Sequence, residues 1–295
     1  MIISGTFPVR EIKHSFPLKR FLAFGLMFIV LNFVFALSAE AICKPGLVRR
    51  DGRFIPVSWN LDRQRLPLAR LAKAGLTLGL RYMAHSSFLL TGPKGGRVLT
   101  DPYWTTPPNP LPQAVSVSNW HDTHSQTGPY EGKAKIFFGA SPEGRPNKVD
   151  ELIKGIRVFS FPQIVGNAES PYVINTVFIF QAAGICVAHL GNARFGPSEG
   201  QIRALGKIHV MLLPIDGRNN LTHEEGAKLV KRIGPNIVVP MHYAGPELST
   251  MFAQAMKVEG FERVKLAKSP ALNLSLRKLP PPTVLTILPP TEDVP

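Results

Sequence analysis

The chain has 295 residues, 44% of them hydrophobic and 18% charged, with a formal net charge of +14. That apolar content excludes a disordered chain, and the length suits one large α/β domain or two small ones. The charge favours anionic partners such as phosphorylated substrates, membrane surfaces or polyanions, whereas scattered basic residues without interleaved aromatics argue against specific nucleic-acid recognition.

Residues 1–41 read as an export leader. Lys19 and Arg20 precede an apolar stretch, 21–37, followed by Ala39-Glu40-Ala41, the order of a secretory signal peptide. An uncleaved membrane anchor over 21–37 is the alternative, because this stretch approaches the shortest spanning helix. Cleavage leaves a net charge of +12 on an exported protein, periplasmic or secreted. In that compartment Cys43 and Cys186 could pair, with a buried thiol at Cys186 as the alternative.

Residues 42–75 mix Pro, Arg and short apolar pieces and read as an irregular lead-in. Short strands are expected at 76–82, 86–90, 97–100, 115–118, 135–139 and 157–161, with a glycine-rich turn at 92–96. A hairpin follows at 172–180 and 184–189. Helices are expected at 198–205, 222–233 and 246–256, with strands at 209–215 and 236–240 between them. Thr222 and Glu225 form a capping box that starts the second helix, and Gly234-Pro235 ends it. Further strands are expected near Arg263 and Leu274, and the Pro-rich tail 279–295 reads as loosely ordered. The domain proper is thus 76–278.

His121, His124, His189 and His242 each follow a β-branched apolar run, so strand-end loops can bring them to one cleft. Singly, each has an ordinary reading as a buried His bonded to a carbonyl. Ser86 and Ser87 lack the Gly-x-Ser-x-Gly surroundings of a nucleophile elbow.

Seven segments in order carry a resemblance: Ala84-His85-Ser86-Ser87, Leu99-Thr100-Asp101-Pro102, 119–124, 175–178, Ala188-His189-Leu190-Gly191-Asn192, 212–217 and Pro240-Met241-His242-Tyr243. Together they are similar to the metallo-β-lactamase fold superfamily, in the branch of the L-ascorbate-6-phosphate lactonase and the N-acyl-phosphatidylethanolamine phospholipase D. The resemblance implies an α/β fold, a four-layer αββα sandwich with a metal cleft at the sheet edges. It also implies a first loop of the form His-x-His-x-Asp-His, which places metal ligands at Asn119, His121, Thr123 and His124, then His189, a bridging position at Asn192, and His242.

Three of those seven positions depart from the family, and both ligand carboxylates are missing, at Thr123 and Asn192. Two divalent ions about 4 Å apart repel by on the order of 15 kcal/mol at an effective dielectric near 20, and neutral imidazoles do not offset that. At most one ion is therefore expected, zinc for a nitrogen-rich set, held by two or three His with Asn119 or an acid as the weaker ligand and Asn192 as a further candidate. Asp122, Asp101 and Asp216 are the nearby acids. Asp122 or Asp216 would serve as the base in water-activating hydrolysis of an anionic ester, lactone or phosphodiester. Arg194 and Arg218 would meet the anion, and His85 would order the loops around it. The alternative is a non-catalytic binding or scaffold protein that keeps the fold.

Overall fold

The computed structural model describes residues 46–48, 54–56, 76–166 and 170–291. In chain order the strands are β1 (Gly46–Val48), β2 (Phe54–Pro56), β3 (Leu78–Ala84), β4 (Ser87–Thr91), β5 (Arg97–Thr100), β6 (Ala114–Val117), β7 (Lys135–Phe138), β8 (Asp150–Ile153), β9 (Ile156–Val165), β10 (Tyr172–Ala182), β11 (Ile185–His189), β12 (Val210–Pro214), β13 (Ile237–Met241), β14 (Val264–Leu266), β15 (Ala271–Leu274) and β16 (Val284–Ile287). Helices α1 (Glu199–Leu205), α2 (His223–Ile233) and α3 (Pro246–Val258) lie among the later strands.

β1 and β2 pair with each other, and the remaining strands form two large sheets. One has the order β15-β3-β4-β5-β6-β7, the other β14-β16-β13-β12-β11-β10-β9-β8. Period-two alternation sorts their side chains. Phe178 and Phe180 of β10 enter the core between the sheets with Leu80, Phe88 and Val98, while Val177 and Ile179 face the core beneath the helices. β11, β12 and β13 are buried on both faces, which is why they are continuously apolar in sequence.

All three helices pack on the eight-stranded sheet through Leu205, Leu229, Val230, Phe252 and Met256. The capping box on α2 forms as expected, with Glu225 N donating to Thr222 Oγ1 and Thr222 N to Glu225 Oε2. The outer face of the six-stranded sheet is covered by Tyr130 on the 3-10 turn Gly128–Tyr130, with Leu111 and Phe138 beside it. Two sheets and one helical layer are therefore in place, and a helical layer over the second sheet is not found among the described residues.

Over residues 279–291 the Pro-rich tail is not loose. Val284–Ile287 is paired in parallel between β13 and β14, and Thr291 N donates to Met83 O at 3.0 Å, so the domain extends past residue 278. Six residues between Pro282 and Pro289 give no periodicity long enough to signal a strand. The expected leader 1–41, most of the lead-in 42–75, and Cys43 lie outside the described residues. Among the described residues no helix is long and apolar enough to cross a membrane. Cys186 is wholly buried in β11.

Candidate metal centre

β5 runs parallel to β6, and β11, β12 and β13 are mutually parallel, so their carboxyl ends gather on one edge of the sandwich. Asp101 follows β5; Asn119, His121, Asp122 and His124 follow β6; His189 ends β11 and Asn192 follows it; Asp216 follows β12; His242 follows β13. His85 joins them from the turn between β3 and β4.

Three imidazoles meet there. The nitrogens that His85, His124 and His242 offer lie within 4.8 Å of one another. Ring centroids are 4.1 Å apart for His85 and His242 and 5.1 Å for His124 and His242. His85, Asp101 and His242 all hold positive φ, at 52°, 34° and 56°. For residues with a Cβ that conformation costs on the order of 1 kcal/mol or more and gathers at functional sites.

Asp101 is the hidden organiser. Its carboxylate is wholly buried, accepts from Ser118 N at 2.7 Å and Ser118 Oγ at 2.6 Å, and accepts from His124 Nδ1 at 2.6 Å. Burial alone would push its pKa up, but His189 and His124 beside it, with the bonds from His124 and Ser118, hold it below the usual carboxylate range. A carboxylate only accepts, so in a neutral ring the His124 proton sits on Nδ1 and the lone pair on Nε2. That Nε2 is buried with no hydrogen-bond partner, and so is His85 Nδ1.

His242 is braced similarly, with Nδ1 3.2 Å from Asp216 Oδ2 and 3.5 Å from Asn220 Nδ2. His85 stacks on Tyr103 with centroids 4.8 Å apart and planes 3° from parallel. Burial, then the neighbouring His242 and His124, lower the His85 pKa to about 3. Burial and then His124 lower that of His242 to about 4. Both rings are thus neutral near pH 7, the form that binds a cation.

The other expected residues are placed differently. His121 is exposed, and its Nδ1 lies 2.9 Å from Thr123 Oγ1 and caps the 3-10 turn Asp122–His124. Asn119 Oδ1 accepts from His121 N at 2.9 Å, a loop bond. His189 is wholly buried behind Asp101; its Nε2 donates to Ser86 O at 2.8 Å and its Nδ1 has no hydrogen-bond partner. The expected four-histidine set is therefore not what converges: His124 and His242 do, and His85 takes the third place. Local hydrogen bonds to Thr123 and to the Ser86 carbonyl hold the rings of His121 and His189.

Asn192 sits in a loop pinned from the sheet. Its N donates to Asn175 Oδ1 at 2.9 Å, Asn175 Nδ2 donates to Leu190 O at 2.8 Å, and Gln163 Nε2 donates to Phe195 O. Gly191 is required before it: φ is 60°, and a Cβ would stand 2.4 Å from Asn175 Oδ1 and 2.5 Å from Ser118. Asn192 Oδ1 is buried with no hydrogen-bond partner. Asp216 Oδ1 accepts from Arg218 N at 2.8 Å and Asn219 N at 3.2 Å, so its carboxylate is committed to structure. Asp122, Arg194 and Arg218 are exposed, with no side-chain ion pair among the described residues. Ser86 and Ser87 are wholly buried, which removes them as nucleophiles. Sequence reasoning gives Asp101 only a minor part, assigns Asn175 no role beyond its place in the resemblance and overlooks Ser118 and Tyr103; Asp101-Pro102 after a strand is the available signal.

The sequence profile described as a beta-lactamase superfamily domain matches residues 79–242. A UPF0173 protein of Pyrococcus furiosus is 44% identical over 180 residues, covering 55% of this chain and 81% of that protein. A protein of Pyrococcus abyssi named a UPF0173 metal-dependent hydrolase is 26% identical over 228 residues, covering 67% of this chain and 99% of its own length. Among solved structures, a Thermotoga maritima protein described within the metallo-β-lactamase superfamily aligns over 72% of this chain and 100% of its own, with a TM-score of 0.51 and 20% identity.

Proposed function

This chain belongs to the metallo-β-lactamase fold superfamily, and from that premise we propose that it is a metal-dependent hydrolase whose site holds one divalent ion on His85, His124 and His242. The observation that carries the reading is the pair of buried, unpartnered nitrogens, His85 Nδ1 and His124 Nε2, in a cluster whose ligand atoms lie within 4.8 Å of one another. A three-nitrogen set of imidazoles fits zinc, and carboxylates behind two of the rings are the usual support for ligating histidines. That relatives such as the Pyrococcus abyssi protein are named metal-dependent hydrolases supports the same reading.

An ion held there would supply Lewis-acid activation of water, lowering its pKa toward about 7. The chain's own residues do the rest. Asp101 fixes the His124 tautomer and Asp216 braces His242. Asp122, exposed and with no side-chain partner among the described residues, is the carboxylate left to accept a proton. Arg194 and Arg218, on the loops after Asn192 and Asp216, suit a small anionic ester, lactone or phosphodiester. One ion rather than two follows from the missing carboxylates at Thr123 and Asn192 and from His121 bonding to Thr123. With an export leader at 1–41, the reaction would take place outside the cytoplasm, with the basic surface available to anionic membranes.

The same substitutions favour a second reading, a metal-binding protein without turnover. The test is a screen of zinc-loaded full chain against phosphodiester and lactone substrates, with a chelator and His124→Ala as controls. Turnover lost in both controls supports hydrolysis; bound zinc without turnover supports the second reading; no bound metal sinks both.

A further inference from the structure

At the end of the sandwich opposite the histidines, the two sheets part. β13 and β16 begin there with Ile237 and Val284, β15 of the other sheet ends there with Leu274, and the turn Leu276–Lys278 closes the gap. A cavity of about 310 Å³ lies between them.

Its lining divides by chemistry. Ile237, Leu274 and Val284 are buried, and Ile237 and Leu274 belong to the core between the sheets, so the floor is an opening of that core. The mouth carries Arg263, Lys265 and Lys278, all exposed, and no acidic residue lines the cavity. None of the three cations forms an ion pair among the described residues. Arg263 Nη1 donates to Pro281 O at 3.1 Å, which uses one of the five guanidinium donors.

We propose that this cavity binds a small amphipathic anion, a medium-chain carboxylate with its tail on the apolar floor and its head among the three cations. Three like charges around one opening repel, and an anion relieves that repulsion. Inorganic phosphate would satisfy the cations and leave the floor wet; a neutral chain would do the reverse. The volume sits near the lower end of the roughly 300–1,000 Å³ of ligand pockets, so the ligand is short. Five residue steps along β13 separate Ile237 from His242, about 16 Å at strand rise, so such a ligand does not touch the histidine cluster. The site is therefore distinct from the metal centre and independent of its chemistry.

Titration calorimetry of the full chain with octanoate, 1-octanol and inorganic phosphate tests this. Saturable binding of octanoate is expected, with octanol and phosphate each at least about tenfold weaker, the worth of one charge-assisted contact or of the buried tail. A Lys265→Glu, Lys278→Glu double variant, both positions exposed, should weaken octanoate binding by about tenfold or more with an unchanged circular dichroism spectrum. His124→Ala should leave it unchanged. Absence of saturable octanoate binding overturns the proposal. So does octanol or phosphate binding as tightly, undiminished binding in the charge-reversed variant, or loss of binding in His124→Ala, which would move the anion to the metal centre.

Discussion

The backbone N–H of His242 donates to the backbone carbonyl of His85 at 2.9 Å. The bond ties the end of β13, in one sheet, to the β3–β4 turn, in the other, so two imidazoles are set against each other by main chain. The Tyr82 hydroxyl adds a second bond to the same carbonyl at 3.2 Å. On the proposed arrangement the ion is held by His85, a residue the family's pattern leaves outside the ligand set, and not by His121. Zinc content by elemental analysis should be at or below one per chain, fall to near zero in His85→Ala, His124→Ala and His242→Ala, and persist in His121→Ala. Two ions per chain, or loss of zinc in His121→Ala alone, would return the site to the family's arrangement.

Asp101→Asn is the sharpest probe of tautomer control. The amide places a donor where Oδ2 now accepts from His124 Nδ1, so the imidazole proton moves to Nε2 and the lone pair aimed at the cluster is lost. Changes to such supporting groups commonly weaken metal affinity about 10–100-fold. Competition with a zinc chelator measures it, and an affinity unchanged in Asp101→Asn would mean that Asp101 does not set the His124 tautomer.

Much of this fold is written locally and some of it is not. Residues 97–100 and the helix begun by Thr222 and Glu225 are visible because turn chemistry and capping are short-range. Val284–Ile287 is hidden because a four-residue segment interrupted by Thr286, between Pro282 and Pro289, becomes a strand only when distant β13 and β14 receive it. The histidines show the same division. Their position at strand ends is legible, whereas which rings share a point is decided by long-range partners: Asp101 for His124, the Ser86 carbonyl for His189, Tyr103 for His85.

Asn192→Asp asks what the pinned loop was shaped to hold. Asn192 Oδ1 is buried without a partner, so a carboxylate there would be a charge removed from water with nothing opposite it. In metal-free protein the variant should lower the melting temperature. Added zinc should then raise it by more than it raises the wild type, because binding to the native state alone stabilises in proportion to affinity. Equal zinc-induced shifts in the two proteins would mean that residue 192 does not face the ion.

Away from the cleft, His209 gives the chain a pH dependence of its own. Burial, and then Lys207, lower its pKa to about 4, and its Nδ1 accepts from Cys186 N at 3.0 Å, a bond that needs the neutral ring. The unfolded chain takes up this proton near 6.5, the folded one only near 4, so the unfolded state binds more protons between those values. Stability from this group is therefore full above about pH 6.5 and drains away as pH falls toward 4, by on the order of 3 kcal/mol. His209→Gln keeps an acceptor that does not titrate, so urea unfolding from pH 7 to 4 should show a shallower loss than in the wild type. His85 and His242, also held neutral, titrate in both proteins and cancel in the difference. Parallel curves would mean that the Cys186 amide does not depend on the charge of His209.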